Sequence, residues 1–492
     1  MTGTLDFIKS DFKSTIFPLK TNIVLYENYE IEIKKYISEQ ILNPNLPDES
    51  FLAQQRVYST KPKGHLRRTV KLDPIAEYFI YDLIYRNRNV FRKQVSDSRR
   101  SFGYRFKDGK VLSVHESYQE YNSALDESID NFEHSVKFDI ASYFNSVYHH
   151  DLSNWFANLN VEEVDKNAFS QFFREINSGR SIDFLPQGIY PCKMIGNEFI
   201  KFIDINGELK SERIIRFMDD FTILDNSMEV ITQDFIRIQQ LLGKYGLNIN
   251  PSKTFYDNQT SNVQSKLTEI DFSLQEIITR FENISGASGM DIVEYEDFET
   301  KNLSVEQVSE LMTLLKNDNL EESDADMILS FMRLRTDDFL EVLPSLLKFP
   351  NLIKHIHSIC GEVSDTAGLA QTLNNYLKSR DTFLEYQLFW IAVIFEDYLS
   401  DVSLYGDSLM RIYELSSSFK IAKAKVLEIP DQGFGLKEIR DEFLHSGQSD
   451  WLSWSSAIGS CTLRKTERNH SLDYFSKSSR MNSLIAEAIK KI

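Results

Sequence analysis

Cysteine, long apolar runs and positive charge are the scarce features of this 492-residue chain. Its three cysteines, Cys192, Cys360 and Cys461, are widely spaced and odd in number, which excludes a disulfide framework and leaves no zinc spacing. A reducing, cytoplasmic setting is the natural expectation. The longest apolar run, Leu388 to Phe395, is far too short to span a bilayer and reads as a buried helix. Asp6, Lys9 and Asp11 interrupt the first turns, so a secretory leader is not expected. Lys and Arg number 55 against 73 Asp and Glu, a formal net charge of -18. With 42% apolar and 12% aromatic residues the chain is globular, with core enough for two or more domains.

The shortage of positive charge is uneven. Between Arg56 and Lys110 there are 15 Lys and Arg against 5 Asp and Glu. A basic block in an acidic protein can hold polyphosphate or a nucleic-acid backbone while the remainder repels it. The plainer alternative is a solvated charged face.

The most informative stretch is Arg216-Phe217-Met218-Asp219-Asp220-Phe221-Thr222-Ile223-Leu224. Two short β-prone runs, Ile214 to Phe217 and Phe221 to Leu224, flank adjacent aspartates, as at the tip of a hairpin. Two like charges at such a tip are unfavourable unless a positive group, most simply a divalent cation, sits beside them. Aspartates are also common in turns for ordinary reasons. Upstream, alternation in Val136-Lys137-Phe138-Asp139-Ile140 predicts a strand with Val136, Phe138 and Ile140 on the core face and Asp139 on the other. Leu185-Pro186-Gln187-Gly188 precedes a helix-compatible run starting near Cys192. Gly246-Leu247-Asn248-Ile249-Asn250-Pro251-Ser252-Lys253 reads as a Gly-Leu strand ending in lysine.

In this order the segments resemble the palm of reverse transcriptases, over roughly residues 60 to 256. Asp139 to Phe144 resembles the first palm motif, Pro186-Gln187-Gly188 the second, Phe217-Met218-Asp219-Asp220 the Tyr/Phe-x-Asp-Asp box, and Gly246 to Lys253 the Gly-Leu…Lys motif that follows. The resemblance implies deoxynucleotidyl transfer with Asp139, Asp219 and Asp220 as the acidic set. It places Asp139, Ile140 and Asp219 at two Mg²⁺ ions, Mn²⁺ being a possible substitute, with Asp220 in a supporting role. It implies that Phe144 excludes the 2′-hydroxyl of ribonucleotides and that Gln187 and Gly188 meet the incoming deoxynucleoside triphosphate. Lys253 is expected to assist the leaving pyrophosphate. Arg67, Arg68 and Lys71 are candidates for the triphosphate, and Arg99, Arg100 and Arg105 for a nucleic-acid backbone. Leu72-Asp73-Pro74 predicts a turn or helix start after the first of these groups. The chain departs from the family at Cys192-Lys193, where relatives often carry Ser-Pro.

Beyond about Asn258 helical spacing takes over, as in Val305, Val308, Leu311, Met312 and Leu315 after a possible capping box at Ser304 and Gln307. Similar stretches fall at Met327–Met332, Phe339–Leu347, Leu352–Ile359, Leu369–Leu377 and Phe383–Leu399, and Asn283–Asn302 has the composition of a linker. The expected class is α+β: polymerase fingers and palm over residues 1–257, then an all-α, solenoid-like domain over 258–492. This architecture, with Trp451 and Trp454 near the C-terminal end, resembles the abortive-infection reverse transcriptases of bacteria, of the AbiK-like and P2-prophage kind. That resemblance implies phage defence in the cytoplasm, template-independent synthesis primed by a protein hydroxyl, single-stranded DNA attached to the protein, homo-oligomers, and no membrane. The priming residue is open; Tyr26, Tyr29 and Tyr36 are candidates. Three alternatives stand beside it: a template-copying enzyme of retron or intron type, an idle palm used as a scaffold, and a C-terminal ribonuclease using Arg440-x4-His445 or Arg464-x5-His470.

Overall fold

The structure is a computed structural model that describes residues 3–46, 49–61, 64–91, 95–129, 131–180, 185–256, 325, 329, 339–430 and 436–492. The expected linker Asn283–Asn302, the capping box at Ser304 and Gln307, the helix Val305–Leu315 and most of Met327–Met332 lie outside the described residues. The chain divides into two compact units. The first comprises Met1–Thr15, Phe51–Gln54 and Ala76–Phe298; the second comprises Ile16–Ser50, Gln55–Ile75 and Glu299–Ile492. The expected cut at 257 falls where description stops. The second unit therefore also takes in two N-terminal segments.

The first unit is built on a five-stranded sheet. Its strands are β1 (Arg99–Phe102), β2 (His134–Asp139), β3 (Arg213–Phe217), β4 (Asp220–Asp225) and β5 (Phe255–Tyr256), in the order β1-β3-β4-β2-β5. β1 and β3 are parallel, and every other neighbouring pair is antiparallel. All six residues of β4 are buried, as befits the central strand. On β2, Val136 and Phe138 are buried while Lys137 is half-buried, the alternation the sequence predicts. Phe138 stacks on its cross-strand partner Phe221, with ring centroids 5.3 Å apart and planes parallel to within 1°.

Two amphipathic helices pack on this sheet. Helix α1 (Val114–Ile129) buries Val114, Ser117, Tyr118, Tyr121, Ala124 and Ser128, a helical period, and sets Tyr118 against Phe217 with centroids 5.2 Å apart. Gly188 adopts φ +106°, which a side chain resists, and the helix α2 (Tyr190–Phe199) opens two residues later with Pro191 in its first turn. A short helix α3 (Lys201–Asp204) follows. Helix α4 (Met228–Gly243) presents Phe235 to Phe138, with centroids 5.1 Å apart. Burying each such aromatic contributes roughly 2–3 kcal/mol.

One expectation is corrected. Gly246 to Lys253 is not a strand; it makes a single bridge, Ile140 to Ile249, and turns into a 3₁₀ segment at Pro251–Lys253. Pro251 has no amide hydrogen to give a ladder, and the Asn250 side chain accepts the Ser252 amide at 3.1 Å, so the local chemistry selects a turn.

Among the described residues the regular structure of the second unit is helical apart from the hairpin Gln55–Thr60/Leu66–Lys71. Its C-terminal helices are α5 (Phe339–Leu346), α6 (Ile353–Cys360), α7 (Thr366–Ser379), α8 (Glu385–Tyr398), α9 (Tyr405–Leu415), α10 (Lys420–Glu428), α11 (Leu436–His445), α12 (Trp451–Gly459), α13 (Lys465–Phe475) and α14 (Arg480–Lys490). Helices α6, α8, α10, α12 and α14 form one row in which each packs on the next, while α5, α7 and α9, then α11 and α13, form a second. Packing of each helix on the next but one is how stacked helix pairs bury a continuous core. Helix α8 holds the Leu388–Phe395 run, every residue of which is buried. The N-terminal helix Lys20–Tyr36 joins this unit because the Glu428 carboxylate accepts the Lys20 and Thr21 amides at 3.0 and 2.9 Å. Among the described residues no helix is long and apolar enough to cross a membrane.

Candidate functional site

Three segments that are distant in sequence meet at one end of the sheet. β2 and β4 pair in a register that sets Asp139 directly opposite Asp220. β3 and β4 are joined by the two-residue turn Met218-Asp219, in which Met218 takes φ +54°. The turn is tied to β2 because the Ile140 amide donates to the Asp219 carbonyl at 3.3 Å. The third segment closes on β2 through Ala141 N to Asn248 O at 2.7 Å and Asn250 N to Asp139 O at 2.9 Å. Gly246 makes this closure possible: it adopts φ +68°, and a Cβ there would lie 3.0 Å from the Tyr148 ring. The 3₁₀ turn that follows brings Lys253 Nζ to 3.2 Å from Asp139 Oδ2.

The electrostatics are those of an acidic focus. Asp139 and Asp219 are 7% exposed and Asp220 is 3% exposed. Burial pushes the Asp220 carboxyl well above the usual range, Asp219 and Asp139 push it further, and Lys137 and Lys253 oppose them. Burial, and then the charge of Asp219, likewise raise the Tyr143 phenol. The buried Oδ1 of Asp139 has no hydrogen-bond partner among the described residues. No three acidic, histidine or cysteine side chains among the described residues form a ready cation cage. An all-oxygen donor set with an open carboxylate oxygen nevertheless fits a hard divalent ion that draws its remaining ligands from phosphate and water. Asp139, Asp219 and the main chain at Ile140 are the groups that would hold it.

Phe144, Gln187 and Gly188 lie in the same unit. Ser142, in the left-handed region at φ +51°, turns the chain after β2 into the short helix Tyr143–Ser146. The Phe144 carbonyl accepts the Leu185 amide at 2.8 Å, which joins the Leu185–Gly188 segment to Phe144. The Phe144 ring is 9% exposed and rests on Gly196 of α2, where a Cβ would come within 3.2 Å of Cζ. At the point of departure from the family, Cys192 is wholly buried and Lys193 Nζ lies 4.6 Å from the Tyr104 ring centroid.

Other predicted residues have different surroundings. Arg67, Arg68 and Lys71 belong to the hairpin of the second unit, where Lys71 is buried with its ammonium 5.7 Å from the Trp451 ring centroid. Arg99 and Arg105, expected at a nucleic-acid backbone, have partners within the protein. Arg99 is buried and donates to the Ser98 and Leu209 carbonyls at 3.0 and 3.1 Å, while Arg105 is paired with Glu120. Arg100 lies 3.6 Å from Glu127. Part of the basic block therefore neutralises its own protein.

Among the candidate primers, Tyr26 is wholly buried and donates to Pro74 O at 2.7 Å. Tyr29 donates to Glu487; burial and that carboxylate push its phenol up to about 12. Tyr36 donates to Glu49 at 2.9 Å and is raised for the same two reasons. In the Arg440–His445 pattern, Arg440 is buried and gives its guanidinium to the Leu427 and Ile429 carbonyls, so it is a packing residue. Arg464 and His470 are exposed on α13 and its leading turn. Trp451 and Trp454 are core residues of the second unit, with centroids 5.3 Å apart.

Three residues that pattern reading passed over surround the Met218-Asp219 turn. Arg216 is 1% exposed and forks onto Asp204, and it also bonds Asn197 and the Met218 carbonyl. The one available signal was an arginine in a run that otherwise reads as a buried strand.

Residues 85–265 match the family described as reverse transcriptase (RNA-dependent DNA polymerase). No curated protein sequence matches the chain. Among solved structures, the telomerase of Candida albicans in complex with a TWJ fragment of telomeric RNA is similar at 15% identity, covering 80% of this chain and 70% of that one, with a TM-score of 0.29. The apo telomerase of Candida tropicalis is similar at 14% identity, covering 87% and 72%, with a TM-score of 0.32. These scores are too low to mark a shared overall architecture. The family match and the described elements together give a reverse-transcriptase polymerase-like fold of mixed α and β structure, followed by a helical C-terminal region.

Proposed function

We propose that this chain, which carries a reverse transcriptase domain over residues 85–265 and is a DNA nucleotidyltransferase of that family, makes DNA at the acidic end of its five-stranded sheet as a phage-defence enzyme of the abortive-infection kind. The observation that carries the chemistry is the convergence of Asp139 and Asp220, on adjacent strands, with Asp219 in the turn that leads into β4, one carboxylate oxygen of Asp139 being without a hydrogen bond. Divalent cations held there would activate the attacking 3′-hydroxyl and neutralise the triphosphate. Asp220, held toward its neutral form by burial and two neighbouring carboxylates, supports Asp139 and Asp219 instead of sharing their load equally. Lys253, half-exposed and paired with Asp139, lies beside the acids, where its ammonium would meet the leaving pyrophosphate. The Phe144 ring fills the space that a ribonucleotide's 2′-hydroxyl would need. Gly188, in a conformation that excludes side chains, lets the main chain approach the nucleotide beside Gln187.

The defence reading draws support from the row-on-row helical array after the polymerase domain, the architecture on which the resemblance to the abortive-infection kind rests. In this reading the enzyme is cytoplasmic and homo-oligomeric. Its product is single-stranded DNA that is attached to a protein hydroxyl and not dictated by a template. The test is incubation of the purified full chain with deoxynucleotides and Mg²⁺, with and without template. Protein-linked DNA formed without template is expected. DNA formed only on a template, and free of protein, would instead make this a template-copying enzyme. Phe144→Val is expected to admit ribonucleotides at least tenfold better, about 1.4 kcal/mol of lost discrimination. Unchanged sugar selectivity would remove Phe144 from the site.

A further inference from the structure

Arg216 sits on β3, two residues before the turn that holds Asp219, and is buried to 1% exposure. An arginine tolerates that only when its charge is balanced and its donors are engaged. Nε donates to Asp204 Oδ1 and Oδ2 at 3.1 and 2.8 Å, and Nη2 donates to Oδ2 at 2.6 Å. Nη2 also meets the Asn197 carbonyl at 3.0 Å. Nη1 donates to Asn197 Oδ1 at 2.6 Å and to the Met218 carbonyl at 3.1 Å. The positive charge is thus spent on Asp204 and does not cancel the carboxylates of the site.

The turn is gripped at both of its leading main-chain groups. The Met218 carbonyl is held by Arg216, and its amide donates to the Phe102 carbonyl at 3.2 Å. Met218 takes a left-handed conformation that a side chain disfavours, so surrounding contacts must hold it there. Gly103, at φ +125°, contributes by lacking a side chain: a Cβ there would lie 3.1 Å from both Asn197 Nδ2 and Met218 Sδ.

We infer that Arg216, seated by Asp204 and Asn197, is a positioning residue for nucleotidyl transfer: by clamping the Met218 carbonyl it fixes the direction in which the Asp219 carboxylate faces Asp139. The inference rests on the proposed polymerase reading. It goes beyond that reading because it assigns the turn's geometry to a buried guanidinium fork on α2 and α3, away from the acids themselves.

The test uses full-length protein with Arg216→Lys, which keeps the charge but loses the planar fork, and Asn197→Ala, which removes one acceptor and leaves the Arg216–Asp204 pair intact. Steady-state incorporation is measured against nucleotide and Mn²⁺ concentration, and Mn²⁺ binding is followed by electron paramagnetic resonance without nucleotide. For Arg216→Lys, kcat is expected to fall on the order of a hundredfold with nucleotide KM within about threefold. Mn²⁺ binding is expected to weaken about tenfold. Asn197→Ala should move the same quantities in the same direction by about tenfold in kcat, and it decides the matter if Arg216→Lys does not fold. A lower melting temperature with unchanged kcat and Mn²⁺ affinity in the folded variants makes Arg216 purely structural and overturns the inference. If wild type incorporates no nucleotide, the polymerase reading fails; a difference in Mn²⁺ binding between wild type and variant still upholds the clamp, and equal binding ends it.

Discussion

Each of the two units buries a cluster of charge, and the clusters are built on opposite principles. In the second unit Lys425, 1% exposed, lies between Glu396 at 2.6 Å and Glu428 at 2.8 Å, and Lys20 Nζ lies 3.0 Å from Glu396, so two ammonium groups meet two carboxylates. Burial alone would lower its basicity, and the two carboxylates more than reverse this. Both oxygens of Glu428 are occupied, one by Lys425 and the Lys20 amide, the other by the amide and hydroxyl of Thr21. In the first unit three carboxylates gather at one end of the sheet, where Asp219 and Asp139 raise the Asp220 carboxyl and Lys137 and Lys253 offset them only in part. A balanced cluster joins helices; an unbalanced one is costly to keep and useful only if a cation or a substrate completes it.

Five substitutions test that contrast. Asp139→Asn or Asp219→Asn should lower nucleotide incorporation on the order of ten-thousandfold, about 5 kcal/mol of barrier, with little change in melting temperature. Near-normal rates would break the assignment of the unbalanced cluster to chemistry. Lys425→Met removes the buried cation between two buried carboxylates and should destabilise the second unit by about 3–5 kcal/mol in urea titrations, while the incorporation rate in the absence of denaturant stays within about twofold. A collapse of activity without loss of stability would erase the distinction between the clusters.

Glu385 sharpens the comparison, because it is a buried carboxylate without an ion pair among the described residues: it accepts the Ile421 and Ala422 amides, at 2.9 and 3.3 Å. Burial raises it to about 7, with the two amides opposing. Its folded value exceeds its unfolded one, so its contribution to stability is complete below about 4.5 and is lost as pH rises through about 7. Glu385→Gln should flatten the decline in stability between pH 5 and 8 by roughly 1–3 kcal/mol; an unaltered pH profile would count against that burial. The smallest effect is at Asp220. Its raised carboxyl means that the cation-free protein loses stability as pH rises above the ordinary carboxylate range. Asp220→Asn should therefore stabilise the cation-free protein at neutral pH by about 0.5–2 kcal/mol while weakening synthesis, a trade expected of functional sites. Destabilisation would show that Asp220 is a structural acid.

Much of the framework was legible from short-range pattern. The alternation around Phe138, the helix that opens just after Gly188, the helix start at Pro74 and the buried run in α8 lie where period and turn chemistry put them. The segment Gly246–Lys253 was misread because its apolar alternation resembles a strand, whereas Pro251 and the Asn250 cap favour a turn. The basic block was legible as charge but not as availability. Arg99 and Arg105 are engaged by Leu209 and Glu120, partners that composition does not reveal.

The amino-acid sequence by itself determined which groups are present and how each short segment folds: three aspartates, an aromatic five positions after the first, and glycines where the chain must turn. Tertiary structure alone decided that Asp139 faces Asp220, that Lys253 reaches Asp139, and that Arg216 spends its charge on Asp204. The reason is one of range. Backbone preference and apolar period act over a few residues, whereas register and ion pairing between distant segments follow from how the strands and helices bury their apolar faces together.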